Sequence, residues 1–457
     1  MVTILSSDNL DDFKHQLTNH DIIIIPIFSD AHLHPCNTSL CLLYFRTLVT
    51  DKRFILPIHH SEAQSIELPR ELIESQHAKF VPDRKKIMHV LRLLNVIDTN
   101  VLQYMKTGKS AGLETPSTTA HFTISKNFPM VSGLNRIVPI VKHIEACEVL
   151  SSKMLELIVR YKDDVNSPSS TFLNVSATSV FQQIESNGIH VDEEVYKTHI
   201  RTDAHKHVVA STVHSEYNLF TTTGRPSNRF GGINFAALNK ETGIRSAFTS
   251  RFGDEGGMVL FDYDAFHLRL VGNLIGFEFP SGNVHELFGK QYFDSKTLTP
   301  EQYEESKKIT FQLLYGGIKE EYLNIPFFQL TQKFIDYLWD SFSTNGYIQS
   351  PIGMRKLYKH NMVDIHPLKL FNYFIQLHET EQNIMTLDKI LPMFQDERSK
   401  VVLYTYDSVL IDFALLDGLD FLKQIKVELE CENTYPTKVY VGNSYQEMKN
   451  ITQQFRS

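Results

Sequence analysis

One stretch, Met258 to Leu270 (MVLFDYDAFHLRL), restricts what this chain can fold into more than any other. Its first half is an apolar run after the turn signal Asp254-Glu255-Gly256-Gly257, the pattern of a strand. Its second half sets Phe266, Leu270 and Leu274 on one helix face. Strand gives way to helix within a few residues, and Asp262 stands at the changeover. Such an end faces solvent or a cleft, so a carboxylate there can hold a metal ion without burying an unpaired charge. The same pattern also fits a surface aspartate that opens a helix, and this stretch alone leaves both readings open.

Two further stretches bear on that choice. Lys307, Phe311 and Tyr315 recur at i, i+4 and i+8 before Gly316-Gly317, so they stack along one face of a helix that ends at the glycines. A cation, an aromatic ring and a tyrosine in line suit a nucleotide: the lysine meets phosphates, the rings meet base and sugar. An amphipathic helix with a snorkelling lysine has the same pattern. Val401 to Phe413 holds two β-rich apolar runs flanking Thr405-Tyr406-Asp407-Ser408, a hairpin with a carboxylate at its tip. Alone, Asp407 reads as an ordinary turn residue. Together, Asp262 and Asp407 could hold two Mg²⁺ ions, which activate a 3′-hydroxyl and stabilise a leaving pyrophosphate.

The 457 residues suffice for about two or three domains. At 42% hydrophobic and 21% charged residues the chain reads as globular, and no apolar run reaches the roughly 18–20 residues of a membrane span. No membrane partner and no signal peptide are expected. The four scattered cysteines (Cys36, Cys41, Cys147, Cys431) read as reduced thiols in a cytoplasmic compartment. A net charge of −8 argues against a uniformly basic nucleic-acid coat but not against a local basic groove.

Along the first 150 residues, Ile22 to Phe28, Leu40 to Leu48 and Arg53 to Pro57 read as successive strands, with Pro26 marking an edge position or a bulge. Lys85 to Leu94 and Asp98 to Met105 read as helices, Ser110 to Ser125 as a loop, and 140–162 as a long helix. The polar stretch Asp163 to Ser170 reads as a domain boundary. Val180 to Asn187 reads as a helix closed by Asn187-Gly188.

In order and content, these motifs resemble the three polymerase motifs of family A DNA polymerases, the bacterial DNA polymerase I type. Asp262-Tyr263 with Leu268-Arg269 resembles the first, Lys307, Phe311, Tyr315 and Gly316 the fingers-helix motif, and Tyr406-Asp407 the third. Thr222-Thr223-Gly224-Arg225-Pro226-Ser227 and Ile233-Asn234 resemble the family's template–primer segment, followed by Ile244-Arg245-Ser246-Ala247-Phe248. Val284-His285 resembles the site of the family's triphosphate-touching His. Gly353-Met354-Arg355 and Asn372 to Gln376 resemble the stretch before the third motif, and Ile184 to Ile189 with Asp192 the palm entry.

The resemblance implies an α+β or α/β multidomain chain. An exonuclease-like (RNase H-like) domain, degenerate and inactive, would cover 1–165. A polymerase domain with right-hand palm and fingers would cover 175–457, with a short or missing thumb at 193–220. The activity implied is DNA synthesis: nucleotidyl transfer from a dNTP to a primer 3′-hydroxyl. Asp262, Asp407 and the Tyr263 carbonyl would hold two Mg²⁺. Lys307 and His285 would meet the triphosphate, and Phe311 and Tyr315 the nascent pair. Arg225, Asn234, Arg245, Arg355 and Gln376 would meet primer–template DNA. A phage-encoded enzyme in the host cytoplasm, helped by a processivity or thumb-replacing partner, suits so compact a layout.

Departures from the family pattern qualify these expectations. His267 stands where the family has a Glu that excludes a 2′-hydroxyl, so a pH-sensitive sugar gate is expected there. Tyr303 replaces a fingers Arg, Ser408 a Glu, Tyr406 a His and Asp264 a Ser. A ribonucleotide-tolerant or RNA-copying polymerase and a non-catalytic primer–template binder are the alternatives. The first-domain strand lacks an Asp-x-Glu, so no proofreading is expected; Asp30-Ala31-His32 is the nearest approach, and His32 and His34 read as surface residues.

Overall fold

The computed structural model describes residues 1–455 apart from 31–32, 114–132, 201, 229–233, 236–237 and 281. Ile233, Ala31, His32 and most of the expected 110–125 loop therefore lie outside the described residues. Two compact units emerge: Met1–Phe220 with Asn228–Phe248, and Thr221–Ser227 with Thr249–Ser457. Asp163 to Ser170 lies within the first unit.

In the first unit six of the described strands form one sheet in the order Val2–Ile4, Arg53–Pro57, Leu40–Thr47, Ile22–Phe28, Lys79–Val81, Val96–Asp98. The two apolar strands at its centre are buried at every residue, as their unbroken hydrophobic runs require. Side-chain alternation then sorts the layers. Leu43 and Phe45 pack with Phe13 and Leu17 of the helix Leu10–Asn19. Tyr44 and Arg46 point the other way, to Glu148, Ser151 and Ser152 of the helix Ile140–Tyr161.

Several sequence expectations for this unit need correcting. Of the two positions expected for Pro26, the edge is wrong: it sits in an interior strand, one residue before a register irregularity between Ile27 and Phe28. It is tolerated because pairing with Lys79–Val81 covers only Ile22 and Ile23, so the missing N–H breaks no bond there. Lys85 to Leu94 is not one helix: it ends at Met88, because Leu91 and Leu93 are both buried, and a helix cannot turn i and i+2 to the same side. Asp98 ends a strand and caps the helix Thr99–Thr107, accepting from the Asn100 N–H at 2.8 Å. Between Asp192 and Thr221 the described residues form the helix Glu193–His199 and a 3₁₀ stretch Thr202–His207. His34 is 6% exposed, not a surface residue.

The second unit is built on an antiparallel sheet in the order Lys400–Tyr404, Ser408–Ala414, Gly256–Tyr263, Thr437–Gly442, Lys449–Asn450. Gly256–Tyr263, the strand half of the opening stretch, is central. Behind it the helix Phe266–Ile275 buries Leu268 and Val271 in an aromatic-rich core. That core is shared with Val284–Tyr292, Pro300–Gly316, Pro326–Asn345 and the long helix Pro367–Ile390. Among the described residues no helix is long and apolar enough to cross a membrane.

Candidate active site

Register brings the two sequence-distant aspartates together. Asp262 pairs with Ser408 on one side and with Lys438 on the other. Asp407, the residue before Ser408, accepts the Tyr263 N–H on its carbonyl at 2.9 Å. The hairpin tip is held in an uncommon shape: Tyr406 has φ +63°, its carbonyl accepts from Asn383 Nδ2 at 2.7 Å, and its ring lies 3.9 Å under the Arg225 guanidinium. A non-glycine residue persists there only where its surroundings fix it. Ala265, with φ +54°, makes the tight corner that turns the chain from strand into helix just past Asp262.

The aspartates line a cleft of about 310 Å³ together with Arg225, Asp264, His267, His285, Lys307, Phe311, Tyr315, Glu379 and Lys438. The helix Pro300–Gly316 supplies Lys307, Phe311 and Tyr315. The Phe311 and Tyr315 rings lie parallel, 6.0 Å apart at 5°, and both are 39% exposed. Lys307 Nζ bonds Glu304 at 2.8 Å and lies 4.3 Å from the Tyr303 ring. His285 stacks toward Phe311 at 5.2 Å, and burial pulls its pKa down to about 4, so it is neutral at physiological pH. Lys438 donates to Asp264 at 2.5 Å. Burial disfavours the Lys438 charge, yet Asp264 outweighs it and raises the pKa.

Glu379 is the residue that sequence reading missed. It is fully buried in the helix Pro367–Ile390, with its Oε2 2.9 Å from Arg225 Nη2 and its Oε1 2.9 Å from His267 Nε2. The other ring nitrogen of His267 lies 2.6 Å from the Tyr315 hydroxyl. A buried carboxylate thus fixes Arg225, His267 and, through it, Tyr315. The signal for it was a carboxylate four residues after Ile375 and eight after Phe371, on a face the helical period assigns to the core.

Glu381, on the same helix, orders the segment that carries Arg225. It accepts from Ser350 Oγ at 2.9 Å, the Gly353 N–H at 2.9 Å and Arg355 Nε at 2.6 Å. The Arg355 guanidinium packs on Gly224, where a Cβ would stand 2.5 Å from Nη1. Gly224 also has φ +69°. Gly224→Ala is therefore expected to lower stability by about 1–3 kcal/mol, from left-handed strain plus displacement of Arg355. A thermal melt within a degree of wild type would contradict this account of the segment.

The expected site residues thus separate. Asp262, His267, His285, Lys307, Phe311, Tyr315, Asp407 and Arg225 share the cleft. Tyr263 reaches it only by its main chain: its ring is buried on Phe266 at 4.2 Å and its hydroxyl donates to the Leu429 carbonyl. Arg355 is 5% exposed, pairs with Glu381 and packs on Gly224. Gln376 is half-buried on the helix that carries Glu379. Asn234 and Arg245 belong to the first unit. Asn234 is exposed, while Arg245 bonds the Leu238 carbonyl through Nε and Nη2.

The carboxylates test whether the cleft suits a divalent cation. Burial, then the neighbouring Glu379 charge, raise the Asp407 pKa above its ordinary value. Oxygen donors crowded with negative charge are the donor set of Mg²⁺. An acid whose folded pKa is raised holds more protons folded than unfolded. Stability is then lost as pH rises from the ordinary carboxylate value of about 3.9 through the folded value. Mg²⁺ binds the ionised form and offsets that loss. Mg²⁺ should therefore raise the melting temperature more near about pH 7.5 than near about pH 5, by roughly 2–4 °C per kcal/mol of binding. An equal rise at both pH values, or the same rise in Asp407→Asn, would contradict the assignment.

No protein-family model matches the sequence, and no curated protein sequence matches it. The fold, however, is that of a polymerase domain. The structure of the POL domain of Pol1 from M. smegmatis, in complex with DNA primer-template and dNTP, superposes with a TM-score of 0.72. The match is 14% identical and covers 98% of this chain and 99% of that one.

Proposed function

We propose that this chain is a template-directed DNA polymerase that transfers a nucleotide from a dNTP to a primer 3′-hydroxyl and releases pyrophosphate. The observation that carries the reading is the juxtaposition of Asp262 and Asp407, brought about by the pairing of Asp262 with Ser408, in the cleft that Lys307, Phe311 and Tyr315 also line. The likeness to a polymerase domain solved with primer-template and dNTP supports it. Asp262, Asp407 and the Tyr263 carbonyl would hold two Mg²⁺, whose charge would activate the 3′-hydroxyl and stabilise the leaving group. Lys307 and Lys438 would neutralise phosphate charge, and neutral His285 would hydrogen-bond a phosphate oxygen. Phe311 and Tyr315 would stack on the nascent pair. Arg225, steadied by Glu379, would orient the primer terminus, with Gln376, Asn234 and Arg245 as further DNA contacts.

The finer organisation belongs to the same proposal. Residues 1–165 are a degenerate exonuclease-like domain without proofreading, 175–457 are palm and fingers, and 193–220 stand in for a reduced thumb that a partner protein supplements. A phage-type enzyme in the host cytoplasm fits this layout and the four free cysteines. Primer extension with dNTPs, then with NTPs, tests the reading. Extension by dNTPs with pyrophosphate release supports it. Equal use of NTPs favours the ribonucleotide-tolerant alternative, and binding without extension favours the non-catalytic one.

The sugar gate is argued from the Glu379–His267–Tyr315 line. His267, bonded to Tyr315 through Nδ1 and set beside Glu379 through Nε2, would close the edge where a 2′-hydroxyl would enter. His267→Ala should lower the preference for dNTP over NTP by about tenfold, the equivalent of one lost polar contact. An unchanged ratio between about pH 6 and 8 would remove His267 from that role.

A further inference from the structure

The first unit gathers three imidazoles and a thiol around one buried carboxylate. His34 and Cys36 come from the segment after Ile22–Phe28, His89 ends the helix Arg84–Met88, and His214 follows the strand Thr212–Val213. The carboxylate, Glu185, is fully buried in the helix Thr178–Asn187. The His34 ring lies parallel to that of His214 at 4.8 Å and edge-on to that of His89 at 4.7 Å.

Glu185 orients all three rings. His89 Nε2 lies 3.0 Å from Glu185 Oε2, and His34 Nε2 lies 3.7 Å from the same oxygen. His214 Nδ1 lies 2.7 Å from the Glu185 carbonyl, which only accepts, so Nδ1 carries the proton and Nε2 the lone pair. By the same logic the lone pairs of His34 and His89 fall on Nδ1. His34 Nδ1 faces the Cys36 N–H at 3.2 Å, and His89 Nδ1 lies 3.5 Å from Cys36 Sγ. The other oxygen of Glu185 is committed to Lys85 and the Tyr217 N–H, so Glu185 is an orienting group rather than a ligand.

We propose that His34 Nδ1, Cys36 Sγ, His89 Nδ1 and His214 Nε2 form a structural Zn²⁺ site. The ligand atoms of His34, Cys36 and His214 lie within 4.8 Å of one another. His89 stands outside that trio, and its Nδ1 lies 2.9 Å from Ser186 Oγ. Four ligands at tetrahedral Zn–N and Zn–S lengths stand about 3.3–3.8 Å apart, so closing the shell takes a contraction of the trio and the release of the His89 ring from Ser186. One thiolate and three imidazoles form a borderline-soft set that selects Zn²⁺ over Mg²⁺. Carboxylate or carbonyl acceptors behind each imidazole are the usual outer support of such sites. The His34 side chain is only 7% exposed, so an ion held there would sit inside the protein rather than on its surface. Cys36 is exposed and gives the ion a way in. The ion would staple three separate segments around the end of the helix Thr178–Asn187, whatever the second unit catalyses.

The test is the metal content and the cobalt spectrum of the full-length chain. Purified with Zn²⁺ and dialysed, it should retain about one equivalent by mass spectrometry. Loaded with Co²⁺ instead, it should show a thiolate charge-transfer band in the near ultraviolet. Cys36→Ser, a change at an exposed position, should abolish that band and lower retained Zn²⁺ at least about tenfold. His214→Ala should lower Zn²⁺ retention similarly. Folded wild-type protein without retained Zn²⁺ or the cobalt band would overturn the site, and so would a band that survives in Cys36→Ser.

Discussion

Asp407→Ala and Asp262→Ala are each expected to slow nucleotide addition by on the order of 10³-fold or more, with primer–template affinity within a few-fold of wild type. The physical reason is the placement of the two carboxylates. Each stands at the end of a paired strand, and the strands are joined by the register that sets Asp262 opposite Ser408. Neither aspartate is needed to hold that register, which backbone bonds and flanking apolar residues supply. Asp407 is in fact electrostatically uncomfortable, since burial and Glu379 both raise its pKa. Removing its charge should therefore leave the melting temperature unchanged or raise it while removing activity. A single-turnover rate and a gel-shift titration on the same preparations separate the effects. A variant that extends primers at near the wild-type rate would refute the metal assignment, and equal loss of DNA binding would point to a structural role instead.

The second large effect is expected at Glu379. Glu379→Ala leaves Arg225 and His267 without the buried charge that both contact. Removing one member of a buried ionic cluster costs about 3–5 kcal/mol, because the remaining groups stay desolvated and unmatched. For a unit of about this size that corresponds to a fall in melting temperature of roughly 6–20 °C, at about 2–4 °C per kcal/mol. Arg225 would also lose its fixed place over the Tyr406 ring, and with it the support of the hairpin tip beside Asp407. Glu379→Gln keeps the shape and one acceptor, so it should fall between wild type and alanine. A melting temperature within a degree of wild type for Glu379→Ala would show that Arg225 and His267 find other partners, and the claim that Glu379 organises the cleft would fail.

How much of this was legible in the sequence follows from which signals are local. The strand-to-helix changeover after Asp262, the hairpin around Asp407 and the stacked face of Lys307, Phe311 and Tyr315 all show as short-range patterns, and each forms the element expected. Side chains that take their meaning from distant partners did not show. Glu379 and Glu381 sit on a helix face whose spacing predicts packing, and only Arg225 and Arg355, far away in sequence, explain their charges. Arg355 was expected at primer–template DNA from the resemblance alone, and nothing local to it announced its pairing with Glu381. His34 was read as exposed because the segment after the strand is polar, whereas Glu185, His89 and His214 enclose it. Pro26 was placed at an edge or a bulge by a rule about ladder bonds; it lies in an interior strand beside a register irregularity, and the strand on its other side stops before it arrives. In each case tertiary contact decided what local chemistry left open.

The central claim is that this cleft joins a nucleotide to a primer under the direction of a template. The most direct measurement offers the full-length chain a 5′-labelled primer annealed to templates that differ only in the first unpaired base, with Mg²⁺ and one dNTP at a time. The account predicts that each template extends the primer by its complementary dNTP, that mismatched dNTPs add far more slowly, and that Asp262→Ala and Asp407→Ala do neither. No extension on any template, or addition that ignores the templating base, would contradict it.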